Sequence, residues 1–140
     1  MAKAEGIPPT ASTASVGKGI NYVGNYAYAM SGLVLTLTGV AYRNMLDFTT
    51  GAGLIKGDFN LIGALDKGNP QSGIESLYKI QFNEVDVFYV NIDSGKENSP
   101  SWCFFPILIP PFTRVEVDIA ASASAYETFC GLVGRVYGAE

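Results

Sequence analysis

The sequence predicts an all-β protein: a jelly-roll-like antiparallel β-sandwich of about eight strands, preceded by an extended N-terminal arm. Three observations carry this. Apolar residues recur at period two in short runs, and no segment sustains a helical period. Turn residues punctuate the chain at fairly regular spacing, from Gly51-Ala52-Gly53 through 66–73 and 93–100 to Pro110-Pro111. The resulting eight or nine short strands fall in about 120 residues, which suits a jelly roll, with an immunoglobulin-like sandwich as the alternative. The 140-residue length points to one such domain, over 20–140.

Residues 1–19 are small, polar or proline and cannot bury enough apolar surface to offset ordering, so they read as a mobile arm. Its few apolar anchors are Ile7, Pro8, Pro9 and Val16, followed by Ile20 where the domain begins. In Ile20–Gly32 the residues Tyr26, Tyr28 and Met30 alternate with Asn25, Ala27 and Ala29, which predicts a strand. Leu33–Thr38 and Val40–Thr49 predict two more. In Leu54–Leu61, Ile55, Phe59 and Leu61 share a face that Gly57 interrupts, so a bulge or a close backbone approach is expected there.

Leu77–Asp93 predicts a hairpin with a two-residue turn at Asn83-Glu84. Phe82 would face Val85, Gln81 Asp86, Ile80 Val87 and Tyr78 Tyr89, with Glu84 carrying some strain at positive φ. Trp102–Ile119 predicts two strands around a Pro110-Pro111 corner, since a proline pair cannot donate ladder hydrogen bonds. Those two strands read as a late hairpin. Val115, Val117 and Ile119 form a core face; Arg114, Glu116 and Asp118 form a wet one. Ala120–Ala125 reads as a small-residue loop or edge. The closing strand, Thr128–Gly138, is apolar on both faces, as in a central strand or a subunit contact.

Composition removes several kinds of function. There is no histidine, which excludes Ser-His-Asp and Cys-His catalysis and the commonest transition-metal ligand. Net charge is −4, and the nine basic residues are scattered, so nucleic acid is not an expected partner. No apolar run reaches the ~20 residues of a membrane helix, and the N-terminal stretch lacks the apolar core of a signal peptide. These features predict a soluble protein made in a cytosol, with no membrane partner, cofactor or metal and no enzymatic activity. Glu116 and Asp118 resemble a glycosidase pair only in residue type; a solvated strand face is the better reading. Asp93 and Glu97 match no calcium loop. Cys103 and Cys130 lie in apolar contexts and read as buried free thiols more than as a disulfide. Charged residues are only 16% of the chain, which suggests surface hidden in contacts with other chains. Aromatic residues in strands are mostly core; Trp102, beside the polar 93–101 loop, is the best candidate for an exposed ring that faces a ligand.

Four stretches carry a resemblance: Asn21–Gly32 (NYVGNYAYAMSG), Phe48–Gly53 (FTTGAG), Ile107–Val117 (ILIPPFTRVEV) and Val133–Gly138 (VGRVYG). Together they resemble small β-sandwich proteins encoded among tailed-phage structural genes, over most of 20–140. Such proteins are similar to jelly-roll head-decoration, or cement, proteins. The resemblance implies a bacteriophage virion protein on the outer capsid surface, made in the host cytoplasm. It would act as a homotrimer that binds the major capsid protein across capsomer junctions and so stabilises the head. The arm, with Ile7, Pro8, Pro9, Val16 and Ile20, would make the capsid or subunit contacts. Some relatives by fold are tail or fibre modules, which implies the alternative of a carbohydrate- or receptor-binding module using Trp102 and the 93–101 loop.

Overall fold

The structure, a computed structural model, describes residues 19–32, 34–35, 42–66, 69–70, 74–93, 102–122 and 126–138. Nine of its strands have four residues or more: β1 Ile20–Val23, β2 Tyr26–Met30, β4 Arg43–Thr49, β5 Leu54–Ile62, β8 Glu75–Phe82, β9 Val85–Asp93, β10 Trp102–Ile109, β11 Arg114–Ala121 and β13 Cys130–Tyr137. Four two-residue strands, β3 Val34–Leu35, β6 Leu65–Asp66, β7 Asn69–Pro70 and β12 Glu127–Thr128, form a small separate sheet.

The long strands form two antiparallel sheets, ordered β1-β2-β13-β5-β10 and β4-β11-β8-β9. The pairings are nested: β2 with β13, β4 with β11, β5 with β10, β8 with β9. A chain folded back on itself into one long hairpin and then rolled gives this order, which is the jelly roll of two Greek keys. β1 extends the first sheet beyond it.

Inward residues follow the period-two pattern. Ile55, Phe59 and Leu61 from β5 face Val115, Val117 and Ile119 from β11 across one core. Buried Tyr78 crosses between the sheets, its hydroxyl donating to the Ile62 carbonyl at 2.6 Å. A second tie runs from the Gly51 N–H to the Tyr22 hydroxyl, at 3.0 Å.

Several sequence expectations need correction. β10 and β11 flank the proline corner as predicted, but they do not form a hairpin: β10 pairs with β5 and β11 with β4 and β8, so the corner carries the chain from one sheet to the other. The corner is pinned to the end of β4: Thr113 N donates to Thr50 Oγ1 at 2.9 Å and Phe112 N to the Gly51 carbonyl at 2.9 Å. The Leu77–Asp93 hairpin has the predicted Asn83-Glu84 turn, both residues at positive φ (51° and 69°). Phe82–Val85 and Gln81–Asp86 pair as expected. A bulge then inserts Val87, so Ile80 meets Phe88 and Tyr78 meets Val90. The bulge also blunts an edge strand against strand addition. Ala120 and Ala121 are no loop; they extend β11 and are buried. Gly57 sits in unbroken register opposite Gly134, so its role is close approach and not a bulge.

The expectation that strand aromatics are core holds for Phe59 and fails for β2. In β2 it is Ala27 and Ala29 that are buried, while Tyr26, Tyr28 and Met30 face outward. Small inward residues let the neighbouring layer close over β2, and the large residues of that strand lie on the outer surface.

Candidate docking face and apolar cleft

The outer surface of the five-stranded sheet is built in rows set by strand register. One row runs Phe104, Asn60, Gly131, Met30; the next Pro106, Asp58, Val133, Tyr28; the next Leu108, Lys56, Arg135, Tyr26. Trp102 opposite Ile62 and Tyr137 opposite Leu54 close the two ends. Phe104, Leu108, Val133, Tyr137, Tyr28 and Met30 are all exposed large apolar residues on one face. A contiguous patch of this kind marks an interaction site, whereas scattered apolar residues do not. Among the described residues this face carries three charges, Lys56, Asp58 and Arg135. The Arg135 guanidinium lies over the Tyr26 and Tyr137 rings at 5.8 and 5.6 Å, so even that cation presents aromatic flanks.

At one end of the face is a cleft of about 490 Å³. Gly131 lies on its floor between Met30 and Asn60, with the Met30 sulfur 2.6 Å from where a Cβ would stand. Trp102 and Phe104 stand over it as an edge-to-face pair with ring centres 6.3 Å apart. Ile62 and Phe129 complete an apolar lining in which the Asn60 amide is the strongest hydrogen-bonding side chain.

The outer surface of the other sheet is of opposite character. Arg114 makes a two-point contact with Asp47, at 3.0 and 2.9 Å, and lies 3.4 Å from Glu116 and 3.5 Å from Glu84. Three carboxylates around it hold the guanidinium firmly protonated. Burial pushes the Glu116 carboxyl up, and Arg114 partly offsets this. Asn44 donates to Asp118 at 2.9 Å. Gln81 donates to Asp86 at 2.7 Å, and the Tyr89 hydroxyl also donates to Asp86. Those two donors hold the Asp86 carboxyl below its ordinary range. Glu116 and Asp118 are thus members of a solvated, cross-strand polar net, not a carboxylate pair facing across a cleft.

The site residues expected from sequence are scattered by this geometry. Trp102 is 54% exposed and forms a wall of the cleft. Ile20 is 1% exposed and belongs to the domain's own core, so its side chain is not available to a neighbouring subunit. Ile7, Pro8, Pro9 and Val16, and residues 94–101 of the loop beside Trp102, lie outside the described residues. Sequence reasoning missed Tyr26, Tyr28, Phe104 and Val133. The signal was present in β13, whose two apolar faces cannot both be core in a two-layer sandwich.

Cys103 and Cys130 are free thiols. Both pair with Leu61, from opposite sides of β5, which sets them two strand spacings apart at ~10 Å, beyond the reach of a disulfide. Burial pushes the Cys130 thiol up to about 12. Burial likewise raises the Tyr78 phenol well above its ordinary 10.0. Both acids keep their protons longer folded than unfolded, so above pH ~9 the unfolded chain binds fewer protons and stability falls as pH rises. The expected slope is about 1.4 kcal/mol per pH unit from Cys130, with a further contribution from Tyr78 above pH ~10. Urea titrations between pH 8 and pH 11 measure it, and Cys130→Ala should remove the part that begins near pH 9.

No family model matches the chain, and no curated protein does. Among solved structures, the chain is similar to one in the structure of infectious bursal disease virus, Gx strain. The TM-score is 0.50 at 11% identity, over 81% of this chain and 33% of that one. This chain therefore spans about a third of the length of that neighbour. The likeness is one of fold.

Proposed function

We propose that this protein is a structural component of a virus particle, and specifically a decoration protein that binds the outside of a tailed-phage head. The observation that carries the reading is the contrast between its two outer surfaces. One sheet presents an aromatic and aliphatic face; the other presents a wet net of ion pairs and hydrogen bonds. A sandwich with such a contrast is suited to lie with one face against protein and the other against water. The fold it shares with a chain of a virus structure supports the same reading. The net charge of −4 fits a position away from packaged nucleic acid.

Decoration works here through buried area alone. A protein that binds the assembled shell and not its dissociated parts stabilises the shell by mass action. Self-association as a homotrimer would set three apolar faces on neighbouring capsomers and multiply a modest single-site affinity. Sedimentation equilibrium tests that state: a trimer runs at three times the 14.9 kDa chain mass.

The experiment for the docking face is occupancy on purified particles that lack the protein. Tyr28→Glu together with Val133→Asp places two carboxylates at the centre of the apolar face. Desolvating them without partners should weaken binding by about 100-fold or more. Gln81→Ala, on the charged face, should leave occupancy unchanged. Equal binding by wild type and the double variant would overturn the assignment.

The alternative, a glycan-binding module, draws on the exposed Trp102 and Phe104 pair. Sugar hydroxyls need several polar partners in their subsite, and the cleft lining offers chiefly apolar atoms. A glycan array with Trp102→Ala as control decides it: saturable binding lost on substitution would favour the module.

A further inference from the structure

We propose that the Gly131 cleft is the seat of the chain's own Ile7-Pro8-Pro9 stretch. This inference does not depend on the virion reading, because it concerns the free protein. The first argument is chemical. An Ile-Pro-Pro run favours the polyproline II conformation, since proline fixes φ and biases the residue before it towards extended backbone. Such runs lose little entropy on binding and dock on aromatic-lined grooves, where the rings pack on the pyrrolidines. Trp102 and Phe104 supply the rings, and the Asn60 amide is placed to donate to a peptide carbonyl. Three residues of polyproline II are ~9 Å long, a length that a cleft of about 490 Å³ accommodates.

The second argument is where the chain enters the sheet. Ile20 pairs with Ala29, at the end of the β1–β2 ladder, and this sets Gly19 beside Met30. Met30 is itself a wall of the cleft. The described chain therefore begins at the cleft end of the face and not at the opposite end, beside Tyr26. The cleft spans the three strand intervals from β2 to β10, ~14 Å. Residues 10–18 can extend ~30 Å, about twice what is needed. A tether of that length gives an effective concentration in the mM range, so a site with only ~0.3 mM intrinsic affinity would be mostly filled.

Trp102 is the only tryptophan in the chain, so its fluorescence reports on the cleft directly. The test compares the full-length protein with the full-length Ile7→Ser, Pro8→Ala, Pro9→Ala variant. The substitutions precede the first strand in sequence, and circular dichroism should be unchanged. The variant should show red-shifted emission and a rise of about threefold in the acrylamide quenching constant, as emptying a mostly filled site requires. A peptide of residues 1–18 added at mM concentration should restore the protection in the variant. Protection in the wild type should not change on dilution. Unchanged quenching in the variant, or no rescue by the peptide, would overturn the proposal. Protection lost on dilution would also overturn it and assign the cleft to the arm of a second copy. Particle occupancy is a separate readout, so failure here and failure of the decoration reading are distinguishable.

Discussion

Replacing Gly57 with alanine is expected to destabilise the fold by about 3 kcal/mol or more, a larger effect than at either glycine of β13 that faces its neighbours. An alanine Cβ at that position would lie 2.5 Å from the Val133 carbonyl oxygen and 2.7 Å from Gly134 Cα. Both atoms are backbone of β13, so no rotamer change relieves the clash and the two central strands must separate. The two glycines of the facing strand β13 grade the effect. At Gly134 the nearest atom is an Ile55 methyl at 2.8 Å, with Gly57 Cα and the Lys56 carbonyl at 3.0 Å, and a cost of about 1–2 kcal/mol is expected. At Gly131 the nearest atom is the Met30 sulfur at 2.6 Å, the mobile end of a flexible side chain, and the cost should stay below about 1 kcal/mol. Urea midpoints of the three variants measure the order. A near-neutral Gly57→Ala would contradict the close approach of β5 and β13.

Truncating Tyr78 is the second large effect. Its ring is fully buried between the sheets, and Tyr78→Ala should cost about 3–5 kcal/mol, as for other large aromatics removed from a core. The informative comparison is Tyr78→Phe, which keeps the ring. The hydroxyl donates to the Ile62 carbonyl at 2.6 Å and lies 3.2 Å from that of Phe129. The Phe129 carbonyl also accepts from Ile62 N–H at 3.2 Å, so the loss falls mainly on Ile62. One buried carbonyl without its partner predicts about 1–2 kcal/mol. The phenylalanine variant should also lose the part of the alkaline instability that sets in above pH ~10, because its residue at this position no longer ionises.

Much of this fold is legible in the residues. The alternation of Val115, Val117 and Ile119 with Arg114, Glu116 and Asp118 is reproduced as core and wet faces, and nine longer strands answer an expectation of eight or nine. Local pattern has this power because a strand's two faces meet two environments. Pattern fails where a long-range partner decides. Whether Trp102–Ile109 and Arg114–Ala121 share a sheet depends on which strands lie beside each, and nothing local to the proline corner says so. The Val87 bulge is similar, since one extra residue in the hairpin leaves the turn chemistry untouched. The site was the least legible part. Tyr26, Tyr28 and Met30 look like a core face by size and hydrophobicity, and the sequence contains no mark that they face outward and not towards the opposite sheet. The combination of buried Ala27 and Ala29 with outward tyrosines becomes readable only once β2 is placed in a sheet.

The most direct measurement of the docking face is hydroxyl-radical footprinting of tyrosines, on the free protein and on decorated particles. The two outer surfaces each carry exposed reporters: Tyr26, Tyr28 and Tyr137 on the apolar face, Tyr89 on the charged face. Docking through the five-stranded sheet predicts that modification of Tyr26, Tyr28 and Tyr137 falls several-fold on the particle while that of Tyr89 stays as in the free protein. Protection of Tyr89 with the other three still reactive would place the contact on the charged face and contradict the assignment.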